Sequence, residues 1–567
     1  MASIYRGNII IKCIKNTKYA NFTPIALRNF SKQHVDKKHI TEEKGKGTYG
    51  KHATIALISS VLIGSAVKER MSVKHIKLKK SDKDSTIKFV AGEKRPDLPV
   101  YRAEEVSKHD SKKSFWVIYR NGVYDVTKFL ASHPGGDQIL NAAGLSIEPF
   151  WNVYGMHKTQ EIYKLLEQYR IGNLHDDDIV DHSDDELWVK EPYRDKRLIV
   201  KTSKPFNAEI PPKLQIEHFD TPNELFYVRQ HMPVPETDAA THRLRVVVRD
   251  RSTRSFEFSL ADLKQFTPVK LRAALMCAGN RRSEMDKVKP VKGISWAGGA
   301  ISNAVWGGVA LRDVLIHCGV DERSLQGKHV VFTGSDVDAT GVNFSTSIPL
   351  RMAMDPASRI VLATHMNGQP LPPDHGRPLR VVVPGAPAVR SVKWLESITI
   401  SDEESTSHWH QKDYRSFNPS KTWETADFST APPVYSLPVT SVICDPQDGD
   451  TVAVKDGYIV VRGYAYSGGG AKILRVDVTA CHVTAGTGPP HWEEATLASD
   501  PAPPRLHYAW TLWTARLPVP PAVKQVEIRV KATDSNFNTQ PERFEDIWNI
   551  RGILSNAYHR ITVQLKR

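Results

Sequence analysis

Cys277 stands in the run LRAALMCAGNRR (271–282), where an apolar, strand-like stretch gives way to an Ala-Gly-Asn turn and then to Arg281 and Arg282. A thiolate beside guanidinium groups is a stabilised anion, able to ligate a metal or to attack an electrophile. No CxxC pair and no nearby histidine completes a zinc set. Any metal held here must bring other ligands with it, which points to a cofactor-borne ion. The alternative is a small buried cysteine that only packs, and the cysteine alone leaves these two readings even.

A second constellation lies upstream. His133-Pro134-Gly135-Gly136 follows the strand-and-turn sequence FWVIYRNGVYDVTKFL (115–130). Proline and paired glycines shape a tight loop that lets a bulky planar ligand approach the backbone. His157 comes 24 residues later, ahead of a stretch in which Ile162, Leu165, Leu166 and Tyr169 share one helical face. Two histidines on opposed walls of an apolar cleft ligate iron from both sides. Such iron has no open position, so it carries electrons and does not bind oxygen. Taken singly, each histidine reads as an ordinary turn residue.

These residues need several units to position them, and 567 residues suggest three or four domains. The net charge of +14 is confined to one end. Residues 1–80 hold 17 Lys and Arg against 4 Asp and Glu, and the rest hold 60 against 59. The basicity is therefore a leader property and not a nucleic-acid-binding face. No acid precedes Asp36, and Arg6, Lys12, Lys15, Lys18, Arg28 and Lys32 are spaced as on a basic amphipathic helix, the pattern of a mitochondrial presequence. The uncharged segment 53–67 falls short of the roughly 20 residues of a bilayer span. It suits a sorting segment that is cut, releasing the mature chain into the intermembrane space without a stable membrane anchor. A retained inner-membrane anchor is the alternative.

Cys13, Cys277, Cys318, Cys444 and Cys481 have no paired spacing, so they form no disulfide framework. Cys318 ends a helical period (Leu311, Val314, Leu315) closed by Gly319 and reads as core packing. The chain divides into a leader (1–80), a compact haem unit (97–174), an acidic linker (175–190), a large mixed unit (191–430) and an all-β unit (431–567). In the mixed unit, strand-like runs 244–248, 269–276, 329–333, 360–364 and 379–383 alternate with helical ones, which reads as an α+β domain. In the last unit short apolar runs recur between turn residues, and Asp456-Gly457 signals a hairpin, so an immunoglobulin-like β-sandwich is expected.

Tyr124-Asp125-Val126-Thr127, then HPGG, then AAG and the later His157, together resemble the cytochrome b5 family. The resemblance implies a noncovalent b-type haem with axial ligands His133 and His157. Downstream, FYVRQHMPVP (226–235), CAGNRR (277–282), GISWAGGAISNAVWGG (293–308), DHGRPLRVVVPG (374–385), SVKWL (391–395) and WNIRGILSNAYHR (548–560) occur in the order found in the sulfite oxidase family. That resemblance implies a multidomain α+β enzyme that oxidises sulfite to sulfate at a molybdenum-molybdopterin centre. Electrons would pass through the haem to cytochrome c, and the last unit would form a homodimer.

The same resemblance implies that Cys277 ligates molybdenum, soft thiolate suiting metal-sulfur chemistry. It places Arg229, Arg282 and Arg551 around the anion, with Tyr414 and Trp296 in the pocket and Lys292 adding charge. Arginine suits an oxyanion because it is planar and always charged. Arg281 reads as the partner of a structural carboxylate. Pterin contacts are implied for Tyr227, Val228, Arg229, Gln230, His231, Asp336, His375, Arg380, Ser391, Val392 and Lys393. Arg380 and Lys393 fit a buried phosphate, which needs paired cations. Gln230 stands where the family has Asn, Ser391 where it has His, and Met276 where it has Gln. Eukaryotic nitrate reductase shares both cofactor units but places its haem unit after the molybdenum unit. An inactive molybdenum domain serving an electron-transfer module as scaffold is a further alternative, against which Cys277 and the arginines speak.

Overall fold

The computed structural model describes residues 91–180, 188, 190–249, 253–321, 327–339, 341–482 and 491–567. The leader, its apolar segment 53–67 and half of the acidic linker (181–187 and 189) lie outside the described residues. Among the described residues no helix is long and apolar enough to cross a membrane.

The haem unit is built on a five-stranded sheet in the order Val100–Tyr101, Arg170–Leu174, Gly122–Asp125, Ser114–Tyr119 and Asp110–Ser111. Alternation splits the Ser114–Tyr119 strand between two faces. Phe115, Val117 and Tyr119 join Trp151 and Leu166 in one apolar cluster, while Trp116 and Ile118 join Val106 and Leu174 in another. The helix Gln160–Glu167 begins where the Thr159 hydroxyl accepts from Ile162 N. It ends before Tyr169, which sits in the following turn with its ring 5.5 Å from Phe129 and not on the helix itself. The acidic run starts tied to this unit: Asp176 pairs with Lys94, and Asp177 and Asp178 with Arg102.

The mixed unit is α+β. One sheet runs Thr253–Ser259, Arg243–Arg249, Leu395–Ser401, His329–Val337 and Asn343–Pro349. A second runs Pro268–Met276, Ile301–Ala310, Val361–Met366 and Gln369–Pro370, with Arg380–Val382 also on Val361–Met366, and a small third sheet runs Ile199–Ser203, Phe206–Glu209 and Val228–Arg229. Leu244, Val246, Val330, Phe332, Leu362, Val381 and Ile398 fill the main core. The helix Leu311–His317 ends at Cys318 and Gly319, the latter at φ +75°, and Cys318 is fully buried in that core.

The last unit is a two-sheet sandwich. Thr440–Asp445, Tyr458–Tyr466, Thr511–Pro518 and Thr496–Ser499 make one sheet, and Thr451–Ala453, His559–Lys566, Gln525–Asp534, Ile473–His482 and Glu493–Glu494 the other. Asp456-Gly457 does form a tight turn, both residues having positive φ. Lys455 and Tyr458 exchange both backbone hydrogen bonds across it (2.9 Å each), closing a two-residue hairpin turn, but the strands on either side belong to different sheets. Thr451–Ala453 lies parallel to His559–Lys566, so the chain changes sheets at this turn.

Two junctions bear on function. Between its last two strands the sandwich sends segment 535–558 back to the mixed unit, where Leu554 N donates to Ala278 O (2.8 Å) and Trp548 Nε1 to Lys289 O (2.8 Å). The haem unit meets the mixed unit through residues 152–155. Val153 is buried in the cluster holding Phe344 and Trp409, Tyr154 packs beside it, and Trp188 Nε1 donates to Asn152 O (2.7 Å).

Candidate active site

The Pro268–Met276 strand delivers Cys277 into the core of the mixed unit. The backbone then turns sharply: Cys277 N donates to Ala300 O, and Asn280 N to Cys277 O, both at 3.0 Å. Gly279 N points at the sulfur (3.4 Å). Gly279, Gly293 and Gly552 all lie under the Arg282 guanidinium, where a Cβ would come within 2.5–2.8 Å of that side chain. These glycines are the space the arginine occupies.

The two adjacent arginines part company. Arg281, fully buried with φ +64°, forks onto Glu284 (2.7 and 2.9 Å) and donates to Ala557 O (2.7 Å). It is a structural ion pair, as the sequence suggests. Arg282 has no carboxylate partner among its hydrogen bonds, donating instead to Gly552 O (3.0 Å) and Ile294 O (2.8 Å). Burial pushes its pKa down, and the facing Cys277 thiol pushes it back up. Arg551 reaches in from the sandwich excursion and pairs with Asp413 (2.7 Å). Arg229 donates to Asn207 (3.2 Å) and to Gln230 O.

Tyr414 ends a single π-helical turn, Trp409–Asp413, and its hydroxyl lies 3.3 Å from His231 Nε2. Burial pushes its pKa up to about 12, with Arg229 working against that and the Cys277 thiol adding to it. His231, also buried, is held well below the ordinary histidine range, first by burial and then by Arg229 and Lys393. Both groups are therefore neutral hydrogen-bonding groups at physiological pH.

One cleft is lined by Tyr227, Arg229, Gln230, His231, Cys277, Asp336, His375, Arg380, Ser391, Val392, Lys393 and Tyr414. Five expected residues stand elsewhere. Val228 faces a separate small core with Leu198, Ala208 and Ile210, because alternation along its strand turns it away from Tyr227 and Arg229. Trp296 is fully buried behind the cleft, in the same cluster as Cys277. Arg282 and Arg551 do not line this cleft, but Arg282 lies close enough to Cys277, Arg551, Tyr414 and Arg229 to feel their charges. Lys292 lies over Trp423 (4.3 Å) beside Arg551. Its charge also helps, as the smallest contribution after burial and His157, to lower the pKa of His133 in the haem unit.

Asp374 lines the cleft and is absent from the sequence expectation. It accepts from Arg194 (2.8 and 2.9 Å) and from Gln230 (2.9 Å), and its backbone carbonyl accepts from Lys393 (2.9 Å). Its position in the DHGRP motif, next to His375, was the available signal. Gln230 spans from Asp374 to Lys393, a bridge that its extra methylene over Asn makes possible.

The cleft suits a phosphorylated, polar heterocycle. Asp336 Oδ1 and Arg380 Nε are buried without a protein partner, each needing one from a ligand. Burial raises the Asp336 pKa and lowers that of Lys393, so both press for a bound partner. His375 is pushed down to about 3 by burial, and its Nε2 donates to Asn223 O (3.3 Å). A pterin dithiolene with a phosphate tail fits this donor and acceptor set, with the metal end at Cys277.

In the haem unit the rings of His133 and His157 are nearly parallel (11°), with centroids 6.3 Å apart. Each Nδ1 donates to a backbone carbonyl, Gly136 O (3.1 Å) and Tyr154 O (2.9 Å). That fixes the tautomer and leaves Nε2 for a metal. Burial lowers both pKa values, keeping the ligating neutral form. Phe129, Leu140, Phe150 and Ile162 supply apolar walls. The residues present fit a bis-histidine haem.

Comparison with known proteins accords with these geometries. Residues 102–175 match the cytochrome b5-like haem/steroid binding domain, residues 231–409 the oxidoreductase molybdopterin binding domain, and residues 431–566 the Mo-co oxidoreductase dimerisation domain. The chain is 49% identical over 480 residues to mitochondrial sulfite oxidase of Drosophila melanogaster, covering 83% of this chain and 82% of that protein. It is 45% identical over 470 residues to mitochondrial sulfite oxidase of Homo sapiens, covering 82% and 84%. In fold it is similar to the crystal structure of the sulfane dehydrogenase SoxCD from Paracoccus pantotrophus (TM-score 0.50, 22% identity, covering 67% of this chain and 90% of that one). The haem match precedes the molybdopterin match, the order that separates this chain from the nitrate reductase arrangement. With these identities over more than four fifths of its length, the chain belongs to the sulfite oxidase family of molybdopterin oxidoreductases.

Proposed function

We propose that this chain oxidises sulfite to sulfate and delivers the electrons through its haem to cytochrome c. The observation that carries the reading is the placing of one buried thiol, one buried phenol and Arg229 in a cleft that suits a phosphorylated heterocycle, with Arg282 and Arg551 near enough to act on the same groups. When bound there, the molybdenum cofactor supplies oxygen-atom transfer and holds the electron pair. The protein supplies the rest. Cys277 ligates the metal, and Arg229, Arg282 and Arg551 hold the anion and offset its charge as sulfate forms. Tyr414, kept protonated by burial, donates a hydrogen bond to substrate or product oxygen. Trp296 backs the Cys277 wall. Sulfite and water would give sulfate, two protons and two electrons, and His133 and His157 would hold the haem that carries those electrons one at a time.

The remaining assignments rest on the same family. Tyr227, Arg229, Gln230, His231, Asp336, Asp374, His375, Arg380, Ser391, Val392 and Lys393 hold the pterin, with Val228 contributing backbone only. The haem unit spans about 97–174, the molybdenum unit 191–430 and the dimerising sandwich 431–567, with a leader at 1–80 that directs the chain to the mitochondrial intermembrane space. The test is sulfite-dependent reduction of cytochrome c by Cys277→Ser. Near-total loss with unchanged haem absorbance is expected, whereas wild-type turnover by this variant would overturn the reading.

A further inference from the structure

Behind Tyr414 lies a buried polar network that the chemistry above does not use. His410 is fully buried on the π-helical turn Trp409–Asp413. Its Nδ1 lies 2.6 Å from Arg390 NH1 and 3.1 Å from Thr346 Oγ1, and Ser347 N points at it from 3.3 Å. Arginine only donates, so Nδ1 accepts and the ring proton is on Nε2. That nitrogen faces Glu404 Oε2 and Ser347 Oγ, each at 3.4 Å. Glu404 in turn accepts from Arg415 NH2 (2.7 Å) and from the Tyr435 hydroxyl (3.2 Å).

The network encloses Tyr414 on both sides along the chain. His410 is four residues before it, close to one π-helical turn of about 4.4 residues, and Arg415 directly follows it. Arg390 donates through Nε and NH2 to Val434 O, while Val434 N donates to Tyr414 O (3.0 Å). Arg390 also immediately precedes Ser391–Lys393, which line the cleft. Arg390, His410 and Arg415 are all nearly or fully buried, so none of them makes its hydrogen bonds to bulk water. All three guanidinium nitrogens of Arg390 and both ring nitrogens of His410 have partners, and of the Arg415 nitrogens only Nε lacks one. A buried network so nearly satisfied fixes one conformation where apolar packing tolerates several.

We propose that the Arg390–His410–Glu404–Arg415 network is a positioning device that locks the Tyr414 phenol at the anion site and registers it against the Ser391–Lys393 wall. It rests on the reading of Tyr414 given above. His410 acts as a neutral relay: one ring nitrogen takes the Arg390 donor and the other offers a proton to Glu404, so that a single carboxylate serves two buried guanidinium groups. These are positioning residues and touch neither substrate nor cofactor.

The test is a double-mutant cycle on the full chain with both cofactors, measuring kcat and KM for sulfite. His410→Leu and Tyr414→Phe are each expected to lower kcat/KM roughly ten- to a hundredfold. The double variant should fall no further than the worse single variant, because the two act through one group. His410→Gln, with an amide acceptor for Arg390 and a donor for Glu404, should restore most of the loss. Amide hydrogen exchange across residues 409–415 should speed up in His410→Leu and not in His410→Gln, with molybdenum and haem contents unchanged. Losses that multiply in the double variant, or a His410→Leu enzyme with wild-type kinetics, would overturn the proposal alone. An inert Tyr414→Phe would instead overturn the role of Tyr414 and this proposal with it. If His410→Leu does not fold, Thr346→Val removes one partner of the same ring and carries the cycle with the same expected signs.

Discussion

At the scale of single residues, two adjacent arginines illustrate how burial alone does not define a role. Arg281 is neutralised by Glu284 and Arg282 is not. Arg281→Met should therefore destabilise the fold by about 2–4 kcal/mol, since it strands a largely buried carboxylate, while turnover per folded molecule is retained. Thermal denaturation and active-site-normalised rates separate those effects. Tyr414, with its pKa pushed up to about 12, stays a donor across the working range. The loss caused by Tyr414→Phe should then be a constant factor between about pH 6 and pH 10, and a loss that vanished at high pH would contradict this. The chemistry-bearing residues were legible in the sequence because their motifs are local: Cys277 beside its arginines, and His133 in its glycine loop. Asp374 was not, since its meaning comes from Arg194, 180 positions away, and no periodicity marks such a pair. Val228 was misplaced because a motif names consecutive residues whereas a strand turns alternate ones to opposite faces.

At the scale of elements, strands and sheets followed from alternation and turn chemistry, but pairing did not. Asp456-Gly457 turned as its residue types require, yet it switched sheets, because the partner of Thr451–Ala453 is the final strand of the chain. The contact of the haem unit through residues 152–155 was equally hidden, for Val153 looks like any core residue of its own helix until its neighbours Phe344 and Trp409 are seen. Tyr154 ties this contact to the haem, since its carbonyl fixes the ring of His157. Val153→Asp should therefore loosen the junction. Sulfite-driven reduction of cytochrome c should fall several-fold, while reduction of a small dye that takes electrons directly at the molybdenum end should hold. Equal loss with both acceptors would point to a general folding defect.

For the whole molecule, the buried neutral histidines set the acid limit. Burial holds His375 and His410 at about 3, against 6.5 for a free histidine. Below about pH 6.5 the unfolded chain takes up protons that the folded one refuses, so stability falls as pH drops from there toward 3. Each such histidine contributes about 1.4 kcal/mol per pH unit in that window. Denaturant titrations at stepped pH should show the slope, and His410→Gln should reduce it by about one proton's worth.

The late position of Arg551 has a consequence for synthesis. Arg551 and the Leu554 contact to Ala278 belong to the stretch between the last two sandwich strands, so the proposed anion pocket can close only once residue 551 has been made. A premature stop codon, even one that spares both cofactor-binding units, yields a chain that has the metal's sulfur but lacks part of the charge that receives substrate.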